Sequence, residues 1–503
     1  MDLILLGEEE YEQDIRPLVK AFYPDVEFNI IRDGAVAEET VKSSKEYFLF
    51  VLNSHEYKIE LCIGDFMESA GERFEDKNDD LYHNNDELPD RRMYRNYLHR
   101  EMYRLMEKHT GKGLPWGTLT GIRPTKLALD RLFNGEKPVE IADHFRKEYL
   151  CSSEKTALCI RVANMEKSLL DGIDKQETYS LYVGVPFCPS ICLYCSFSSF
   201  PLKQYEKYVE PYIEALCKEI DFASSCFPKK KLISIYFGGG TPTTLSADQL
   251  SRVIRKIKAS FDLSCLKEWT VEAGRPDSIT YDKLKVLKDE GISRISINPQ
   301  TMQQKTLDLI GRKHTVEDIL NVYKMARDLG FDNINTDLII GLTGEKLEDV
   351  ESTLEAIEPL APENITVHAL ALKRAARLNA EMDKYRDLRS TQSVLMAKAC
   401  ENFMAKHGYG PYYMYRQKNM TENLENVGYS LPGHEGLYNI LMMEEYHTIL
   451  ALGTNGSSKF VFPETDRIER VENVKSVKDY VERIDEMIER KREFLCRNTI
   501  LCR

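Results

Sequence analysis

From residue 181 onward, short apolar runs alternate with stretches whose apolar residues recur at helical spacing. The runs have the length and the β-branched or aromatic content of buried strands, and the stretches between them are typical of amphipathic helices. Strands are predicted at 181–185, 232–237, 268–273, 294–299, 333–340 and 365–372. Helices are predicted at 203–223, 246–259, 279–290, 315–329 and 347–358. This order predicts an α/β domain with a parallel sheet, either doubly wound or curled into a partial barrel.

The N-terminal segment, residues 1–172, lacks this alternation and predicts a separate α+β domain whose role the sequence does not assign. Its strands are predicted at 1–7, 26–31, 46–54 and 57–64, the last two as a hairpin. Its helices are predicted at 93–109, 124–133, 139–149 and 154–170, with a polar loop at 76–92 and a linker at 171–178.

The C-terminal segment, residues 376–503, also departs from the alternating pattern. It predicts a helix at 391–407, a strand at 412–417, a loop at 428–436 and a helix at 474–492. We expect this segment to form an α+β extension that covers the mouth of the central domain, residues 173–375.

Composition narrows the class of protein. The chain has 42% hydrophobic and 30% charged residues, which is ordinary for a globular protein. Its net charge of −13 argues against a general nucleic-acid-binding protein. No apolar run approaches the ~20 residues of a membrane span, and the N-terminus lacks the positive charge of a secretion signal. We therefore expect a cytoplasmic protein whose 12 cysteines are thiols or metal ligands rather than disulfides.

Three cysteines lie close together directly after the first strand of the central domain. Cys188, Cys192 and Cys195 have the spacing C-x3-C-x2-C, in a loop that Pro186 and Pro189 stiffen. Structural zinc normally takes four protein ligands, whereas cysteine thiolates also hold the irons of a cubane cluster. Three thiolates leave one iron open to an outside ligand, so such a cluster can do chemistry as well as carry electrons. A zinc site completed by a remote histidine, or three unrelated thiols, are the other interpretations.

Glycine and polar residues follow the other predicted strands at their carboxyl ends, where the chemistry of parallel α/β folds gathers. The glycines at 238–240 let the backbone approach a ligand closely, with N–H groups that can face a carboxylate. A strand-end carboxylate suits ribose hydroxyls and an arginine suits a carboxylate, although each residue alone also fits a structural role. These polar residues are Glu272, Gln300, Asp337 and, beyond the fourth strand, Arg312.

The cysteine loop, with the aromatic Tyr194 before its third cysteine, resembles the signature of the radical S-adenosylmethionine superfamily. The resemblance implies a partial (β/α)6 barrel and a [4Fe–4S] cluster on the three cysteines, whose open iron binds S-adenosylmethionine. In that superfamily the cofactor yields a 5′-deoxyadenosyl radical that abstracts hydrogen from the substrate, while the protein positions and shields it.

Residues 180–375 resemble the oxygen-independent coproporphyrinogen III dehydrogenase family through "YFGGGTPTTL", "VEAGRP" and "NINTDLIIGLTGE" in that order. The stretches "WGTLTGIRPTK" and "YYMYRQKNMTENLENVGY" resemble its long-chain HemZ branch. The resemblance implies one or two bound molecules of S-adenosylmethionine, the second among Gln300, Arg312 and Asp337. The residues implied for the first molecule are Tyr182, Tyr194, Gly239, Gly240, Thr241 and Glu272.

The family reaction converts two propionates of coproporphyrinogen III into vinyl groups with loss of carbon dioxide, giving protoporphyrinogen IX in haem biosynthesis. Phe197 stands where the dehydrogenases carry a further cysteine, and haem-chaperone relatives share the phenylalanine. A haem-binding chaperone and another radical enzyme acting on tetrapyrroles are therefore the alternatives. The implied partners are a tetrapyrrole, a flavodoxin- or ferredoxin-like electron donor and an electron acceptor of unknown identity.

A tetrapyrrole with several propionates needs cations in an otherwise acidic protein. Lys373, Arg374 and Arg377 lie just beyond the sixth strand, and arginine binds carboxylates bidentately. Alternatively, the three residues lie on the solvent-exposed first turn of a helix and bind no substrate, an interpretation that fits the sequence equally well. The histidines show no metal-ligand spacing, so His314 and His368 are interpreted as structural, although both could line the cavity.

Overall fold

The structure is a computed structural model of the 503-residue chain. It describes residues 1–7, 11–24, 26–52, 56–73, 91–121, 123–371, 373, 375–385, 388, 390, 392–416, 424–465 and 467–498. The predicted loop at 76–92 lies outside this part of the chain up to residue 90. Within these residues, no helix combines the length and the apolar character that a membrane span requires.

Contacts divide the chain into two units, Met1–Arg161 and Val162–Arg503. The division of the sequence into domains at 1–172, 173–375 and 376–503 stays a prediction. Each of the two units has its own sheet.

The first unit is built on a five-stranded sheet in its described residues, in the order β2-β1-β3-β4-β5. Its strands are β1 (Asp2–Gly7), β2 (Asn29–Ile31), β3 (Glu46–Leu52), β4 (Glu56–Ile63) and β5 (Phe66–Arg73). Its helices are α1 (Glu12–Phe22), α2 (Gly34–Ser43), α3 (Arg91–Thr110), α4 (Pro124–Phe133) and α5 (Pro138–Glu148). Helix α6 (Ser153–Leu170) begins in the first unit and ends in the second. The predicted hairpin is confirmed as β3 and β4, which pair antiparallel.

Apolar residues lie on both faces of this sheet because neighbouring strand residues point to opposite sides. Leu3 and Phe48 pack into a core with residues of α1 and α3. Ile4 and Tyr47, one position away in sequence on each strand, pack in a second cluster with Ala37 of α2. The strands therefore read as continuous apolar runs rather than as an alternation.

The second unit holds an eleven-stranded sheet in its described residues, in the order β14-β15-β13-β12-β11-β10-β9-β6-β16-β17-β18. The strands are β6 (Thr178–Val185), β7 (Phe187–Cys188), β8 (Phe200–Pro201), β9 (Lys231–Gly239), β10 (Glu268–Gly274), β11 (Arg294–Ile297), β12 (Ile334–Ile340), β13 (Asn364–Ala369), β14 (Gly410–Tyr415), β15 (Asn426–Ser430), β16 (Thr448–Leu452), β17 (Ser457–Phe462) and β18 (Arg467–Glu472). Strands β7 and β8 form a separate parallel pair.

The helices of the second unit connect these strands and cover the sheet. They are α7 (Leu202–Tyr205), α8 (Val209–Ser224), α9 (Ala247–Ser260), α10 (Tyr281–Asp289), α11 (Gln304–Leu309), α12 (Val316–Asp328), α13 (Leu347–Ile357), α14 (Arg377–Ala380), α15 (Met382–Tyr385), α16 (Ser393–Lys406), α17 (Leu437–Met443), α18 (Val477–Glu482) and α19 (Ile484–Arg497).

The six strands predicted for the central domain are confirmed as β6 and β9–β13, and each pairs parallel with its neighbour. Their residues are almost all buried, as expected for strands covered on both faces. A capping box marks the start of α9, and its pattern is local in the sequence. The hydroxyl of Ser246 accepts from the backbone N–H of Gln249 at 3.2 Å, and the side-chain oxygen of Gln249 accepts from the backbone N–H of Ser246 at 2.9 Å. The α/β fold with a partial barrel is confirmed.

The C-terminal segment enlarges both edges of this sheet. Strand β16 pairs parallel with β6, and β17 and β18 continue from it as antiparallel strands. At the other edge β15 lies antiparallel between β13 and β14. The prediction of a loop at 428–436 is wrong for its first three residues, which belong to β15. A Cβ on Gly428 would stand 1.9 Å from the ring of Tyr413 on the neighbouring strand, so only glycine leaves room for that ring. The single helix predicted at 474–492 is also wrong, since it breaks at Arg483 into α18 and α19.

Candidate active site

The carboxyl ends of the parallel strands surround a cavity of about 720 Å³. Every cluster and cofactor residue expected from the sequence lies in its wall, although the roles of these residues stay predictions. These lining residues are Tyr182, Cys188, Cys192, Tyr194, Cys195, Gly239, Gly240, Thr241, Glu272, Gln300, Arg312 and Asp337.

The expected substrate cations divide into three cases. Lys373 lines the cavity, with Nζ 5.5 Å from the ring centre of Phe197. Arg377 is not brought to the cavity, and its guanidinium lies 3.3 Å from Glu381 on the surface of the following turn. Arg374 lies outside the described residues.

The two histidines lie in different places, since His368 lines the cavity and His314 does not. His368 lines the cavity, one of the two positions that the sequence left open, and its interpretation as a structural residue stays a prediction. His314 is buried outside the cavity wall, with Nδ1 3.8 Å from Asp277.

Two buried arginines, Arg275 and Arg312, donate hydrogen bonds to residues of the cysteine loop. Arg275 donates to the Ser190 carbonyl at 2.8 Å and to Cys192 Sγ at 3.6 Å, while Asp277 binds its other nitrogen at 2.6 Å. Arg312 donates to Tyr194 Oη at 3.1 Å, and its buried Nε has no hydrogen-bond partner among the described protein atoms. Sequence reasoning missed Arg275, whose signal was its position directly after the third strand of the central domain.

The three thiols of the loop line one cavity, where they could hold a cubane cluster. In the described part of the chain, no group of three His, Cys, Asp or Glu side chains is arranged to hold a metal ion. Each thiolate of a cubane binds a different iron, so its ligands share a cavity without converging on one point. Burial raises the pKa of Cys188 to about 11, a cost that a bound metal cluster removes by favouring the thiolate.

The glycine turn after β9 supports the cysteine loop by close backbone contact. Gly239 has a φ of +107°, a conformation that favours glycine. A Cβ on Gly240 would stand 2.5 Å from the Phe187 carbonyl oxygen. The N–H groups of Gly240 and Thr241 donate to Val185 and Phe187, each at 2.7 Å. These two N–H groups therefore hold the loop and are not directed at a ligand, which corrects the expectation for Gly240.

Three tyrosines form a stack along one side of the cavity. The ring of Tyr236 lies between Tyr182, at 6.3 Å and 13°, and Tyr438 of α17, at 4.5 Å and 19°. Tyr438 was not expected from the sequence, because α17 itself was missed. The carboxylate of Glu268 fixes this helix by accepting from the N–H groups of Leu437 at 2.6 Å and Tyr438 at 3.2 Å.

Two carboxyl groups in the cavity have opposite electrostatic surroundings. Burial raises the pKa of Glu272 to about 7, and the nearby charge of Asp337 adds to the effect, against a hydrogen bond donated by Tyr236. Burial alone would also raise the pKa of Asp337, but the imidazole of His368 and the amide of Asn335 outweigh it and lower that pKa. The carboxyl group of Glu272 therefore titrates near neutral pH, whereas the lowered pKa of Asp337 keeps that carboxylate ionised.

Gln300 is held against Asp337 in a strained conformation. Its φ is +71°, in the left-handed region that costs a non-glycine residue free energy. The Gln300 N–H donates to the Asp337 carbonyl at 3.0 Å, and the Gln300 carbonyl accepts from Ile339 at 2.9 Å. This bridge fastens the loop after β11 to β12, where only two residue pairs of the two strands are in register.

Comparison with known proteins agrees with this architecture. The sequence profile of the Radical SAM superfamily matches residues 182–357. The oxygen-independent coproporphyrinogen-III oxidase-like protein HemZ of Bacillus subtilis is 39% identical over 395 residues, covering 78% of this chain and 79% of HemZ. The heme chaperone HemW of Lactococcus lactis is 34% identical over 285 residues, covering 56% of this chain and 70% of HemW.

Among solved structures, coproporphyrinogen III oxidase (HemN) from Escherichia coli has the same fold. The TM-score is 0.50 at 24% identity, and the match covers 64% of this chain and 73% of HemN. This fold match agrees with the 39% identity to HemZ over most of both chains. The chain therefore belongs to the radical S-adenosylmethionine superfamily, in the family that includes HemZ, HemW and oxygen-independent coproporphyrinogen III oxidase.

Proposed function

We propose that this protein catalyses the oxidative decarboxylation of coproporphyrinogen III propionates to vinyl groups, giving protoporphyrinogen IX. The observation that carries the proposal is the shared cavity, which brings the cysteine loop, the strand-end carboxylates and Lys373 into one wall. The similarity to HemZ over most of both chains supports the substrate class.

The residues present fit a [4Fe–4S] cluster on Cys188, Cys192 and Cys195 and S-adenosylmethionine at the strand ends. When bound, these groups supply a carbon radical that takes one hydrogen atom from the β-carbon of a propionate. The side chain then loses carbon dioxide and one electron to become a vinyl group, and an electron acceptor takes that electron. Within the chain, Arg275 fixes the cysteine loop, and the tyrosine stack gives the cavity an apolar wall that excludes water.

The partners follow from this chemistry. We propose a flavodoxin- or ferredoxin-like protein as the donor that reduces the cluster. We also propose that one or two molecules of S-adenosylmethionine bind, since Glu272 and Asp337 offer two separate strand-end carboxylates. A cytoplasmic location suits these requirements, because the described cysteines are free thiols and an open iron reacts with oxygen.

A second candidate function is haem binding and delivery. It is favoured by the 34% identity to HemW and by Phe197, whose side chain lines the cavity and is 68% exposed. A flat, exposed aromatic ring next to the cysteine loop is suited to contact with a porphyrin face.

Anaerobic turnover separates the two candidates. The protein is reconstituted with iron and sulfide, given S-adenosylmethionine, a reductant and coproporphyrinogen III, and the products are identified by mass spectrometry. We expect vinyl-containing product together with 5′-deoxyadenosine. Stoichiometric haem binding without turnover of the porphyrinogen would reject the dehydrogenase in favour of the chaperone.

A further inference from the structure

A chain of side-chain hydrogen bonds links β11, β12 and β13 and ends at Asn298, directly after β11. Asn335 donates from Nδ2 to Asp337 Oδ1 at 2.8 Å and to Ser296 Oγ at 3.0 Å. The hydroxyl of Ser296 donates in turn to Asn298 Oδ1, and Thr366 Oγ1 donates to Asn335 Oδ1 at 3.0 Å. Asn298, Asn335, Asp337 and Thr366 line the cavity, whereas Ser296 is buried outside its wall.

The charge of Asp337 fixes the direction of these hydrogen bonds. An ionised carboxylate can only accept, so the atom of Asn335 that contacts it is the amide nitrogen, whose second proton goes to Ser296. Ser296 is buried, so its own proton needs an acceptor, and the side-chain oxygen of Asn298 supplies it. The amide nitrogen of Asn298 is therefore turned away from Ser296, and it makes no hydrogen bond to the described residues.

A buried positive charge lies next to Asn298. The guanidinium of Arg312 donates to the backbone carbonyl of Asn298 and, at 3.1 Å, to Tyr194 Oη. Within the described part of the chain, no carboxylate forms an ion pair with Arg312. A buried charge without a paired carboxylate favours an anion at a neighbouring donor. The negative charge of Asp337 is separated from Asn298 by Asn335 and Ser296.

We propose that Asn298 is a carboxylate-binding residue of the cavity, whose two N–H groups donate to the oxygen atoms of a bound carboxylate. The proposed function, on which this inference rests, supplies two ligands with such a group. They are the propionates of coproporphyrinogen III and the methionine end of S-adenosylmethionine. A hydrogen bond to an ionised oxygen is about twice as strong as a neutral one, so Asn298 selects an acid over an ester or an amide.

Asn298→Asp tests this site, because it keeps the shape and the bond from Ser296 but replaces the donating nitrogen with an oxygen. Anaerobic binding to the reconstituted full chain is measured for two probes. Coproporphyrin III, the stable oxidised tetracarboxylate, is followed by fluorescence, and S-adenosylmethionine by equilibrium dialysis. We expect the Kd of at least one probe to rise about tenfold or more, and the affected probe identifies the carboxylate.

Two further measurements separate a lost donor from an added charge. Asn298→Leu removes the N–H groups without adding a charge, so the Kd of the same probe should rise again. Where that probe is coproporphyrin III, its uncharged tetraamide should bind Asn298→Asp at least as tightly as the wild type, because an amide can donate to the new carboxylate. A Kd that rises in Asn298→Asp and not in Asn298→Leu reports repulsion alone and overturns the site.

Asn333→Asp is the matched control, the same substitution outside the cavity wall. Asn333 Oδ1 already accepts from Arg294 at 3.4 Å and from Asn364 at 3.1 Å, so this variant should bind both probes like the wild type. Unchanged Kd values for both probes in Asn298→Asp overturn the site and leave the proposed function standing. A wild type that binds S-adenosylmethionine but no coproporphyrin III overturns the proposed function, and the S-adenosylmethionine measurement then decides the site. Circular dichroism and iron content of each variant separate lost binding from lost folding.

Discussion

Lys491 of α19 and Glu219 of α8 form an ion pair with no solvent exposure of either side chain, and Nζ lies 2.8 Å from Oε1. The same carboxylate accepts from the backbone N–H of Gly453 at 2.8 Å. Asn473 donates to both Glu219 and the Gly453 carbonyl, each at 2.8 Å. The C-terminal helix is thereby tied through one buried charge to the turn after β16.

This turn is part of the cavity wall. Thr454 and Asn455 line the cavity directly after Gly453. A Cβ on Gly453 would stand 2.4 Å from the carbonyl oxygen of Gly184 at the end of β6. The buried pair therefore sets the position of a wall next to the strand that leads into the cysteine loop.

Lys491→Met tests the energetic role of the pair. The substitution leaves Glu219 buried without its counter-charge, so we expect a loss of about 3–5 kcal/mol in the free energy of unfolding. Urea unfolding followed by circular dichroism measures it. Lys478→Met is the control, since Lys478 and Glu482 are both 58% exposed and 3.9 Å apart, and should cost at most ~0.5 kcal/mol. Equal stability of the two variants would show that the buried pair contributes nothing.

Arg275→Gln tests the electrostatic support of the cluster. The guanidinium lies 3.6 Å from Cys192 Sγ, so its charge and its N–H favour the more negative, reduced cluster. We expect the reduction potential to fall by on the order of 60 mV, a tenfold change in a one-electron equilibrium. A potentiometric titration followed by electron paramagnetic resonance measures the shift. Arg252→Gln, which removes a half-exposed arginine paired with Glu210, should leave the potential unchanged.

How far the sequence predicted this site depends on the range of the interactions involved. The start of α9 depends on a local pattern at Ser246, and the helix begins within one residue of its predicted start. The spacing of the three cysteines is also local, and the structure places all three in the cavity wall. The pairing of β16 with β6 joins residues that are far apart in the chain, so no local sequence pattern predicts it. Tyr438 was missed for the same reason, because Glu268 caps its helix from a distant strand.

Roles within the site were harder to predict than membership of it. The glycines were expected to present N–H groups to a ligand, yet the N–H of Gly240 is used by Val185. For His368 the sequence left two positions open, and the structure places the ring in the cavity wall, near Asp337 and Tyr415 of two other strands. The residue type determines which chemistry a side chain or backbone group can perform. Its partners in the folded protein determine which of its atoms can still contact a ligand.

Glu272→Gln tests the raised pKa of Glu272 through the stability of the cofactor-free protein. Burial raises the pKa in the folded state to about 7 from the usual value of 4.5, so the folded state binds the proton more tightly. The stability linked to this proton is complete below the unfolded pKa and is lost as pH rises through the folded pKa, on the order of 3 kcal/mol in all.

Urea unfolding of wild type and Glu272→Gln at about pH 5 and about pH 8 measures this loss. The neutral amide cannot titrate, so we expect the stability of the wild type relative to the variant to fall with increasing pH. A difference that is the same at both pH values would show that Glu272 is ionised in both, contrary to the effect of burial.

Gly240→Ala tests whether the glycine turn positions the cysteine loop. The new Cβ would stand 2.5 Å from the Phe187 carbonyl oxygen and 2.8 Å from the Pro186 carbonyl carbon, so the backbone that leads to Cys188 must move. Overpacking of this kind costs about 1–3 kcal/mol. We expect less iron and sulfide per chain after reconstitution, with a weaker visible absorbance from the cluster.

Gly34→Ala is the matched control for this substitution. Nothing lies within 4 Å of its ideal Cβ position, and Gly34 is the first residue of helix α2. Alanine is the better helix former, so the control should be as stable as the wild type or up to ~1 kcal/mol more stable, with normal iron content. If Gly240→Ala binds as much iron as this control, the close contact of Gly240 with Phe187 does not determine the geometry of the cysteine loop.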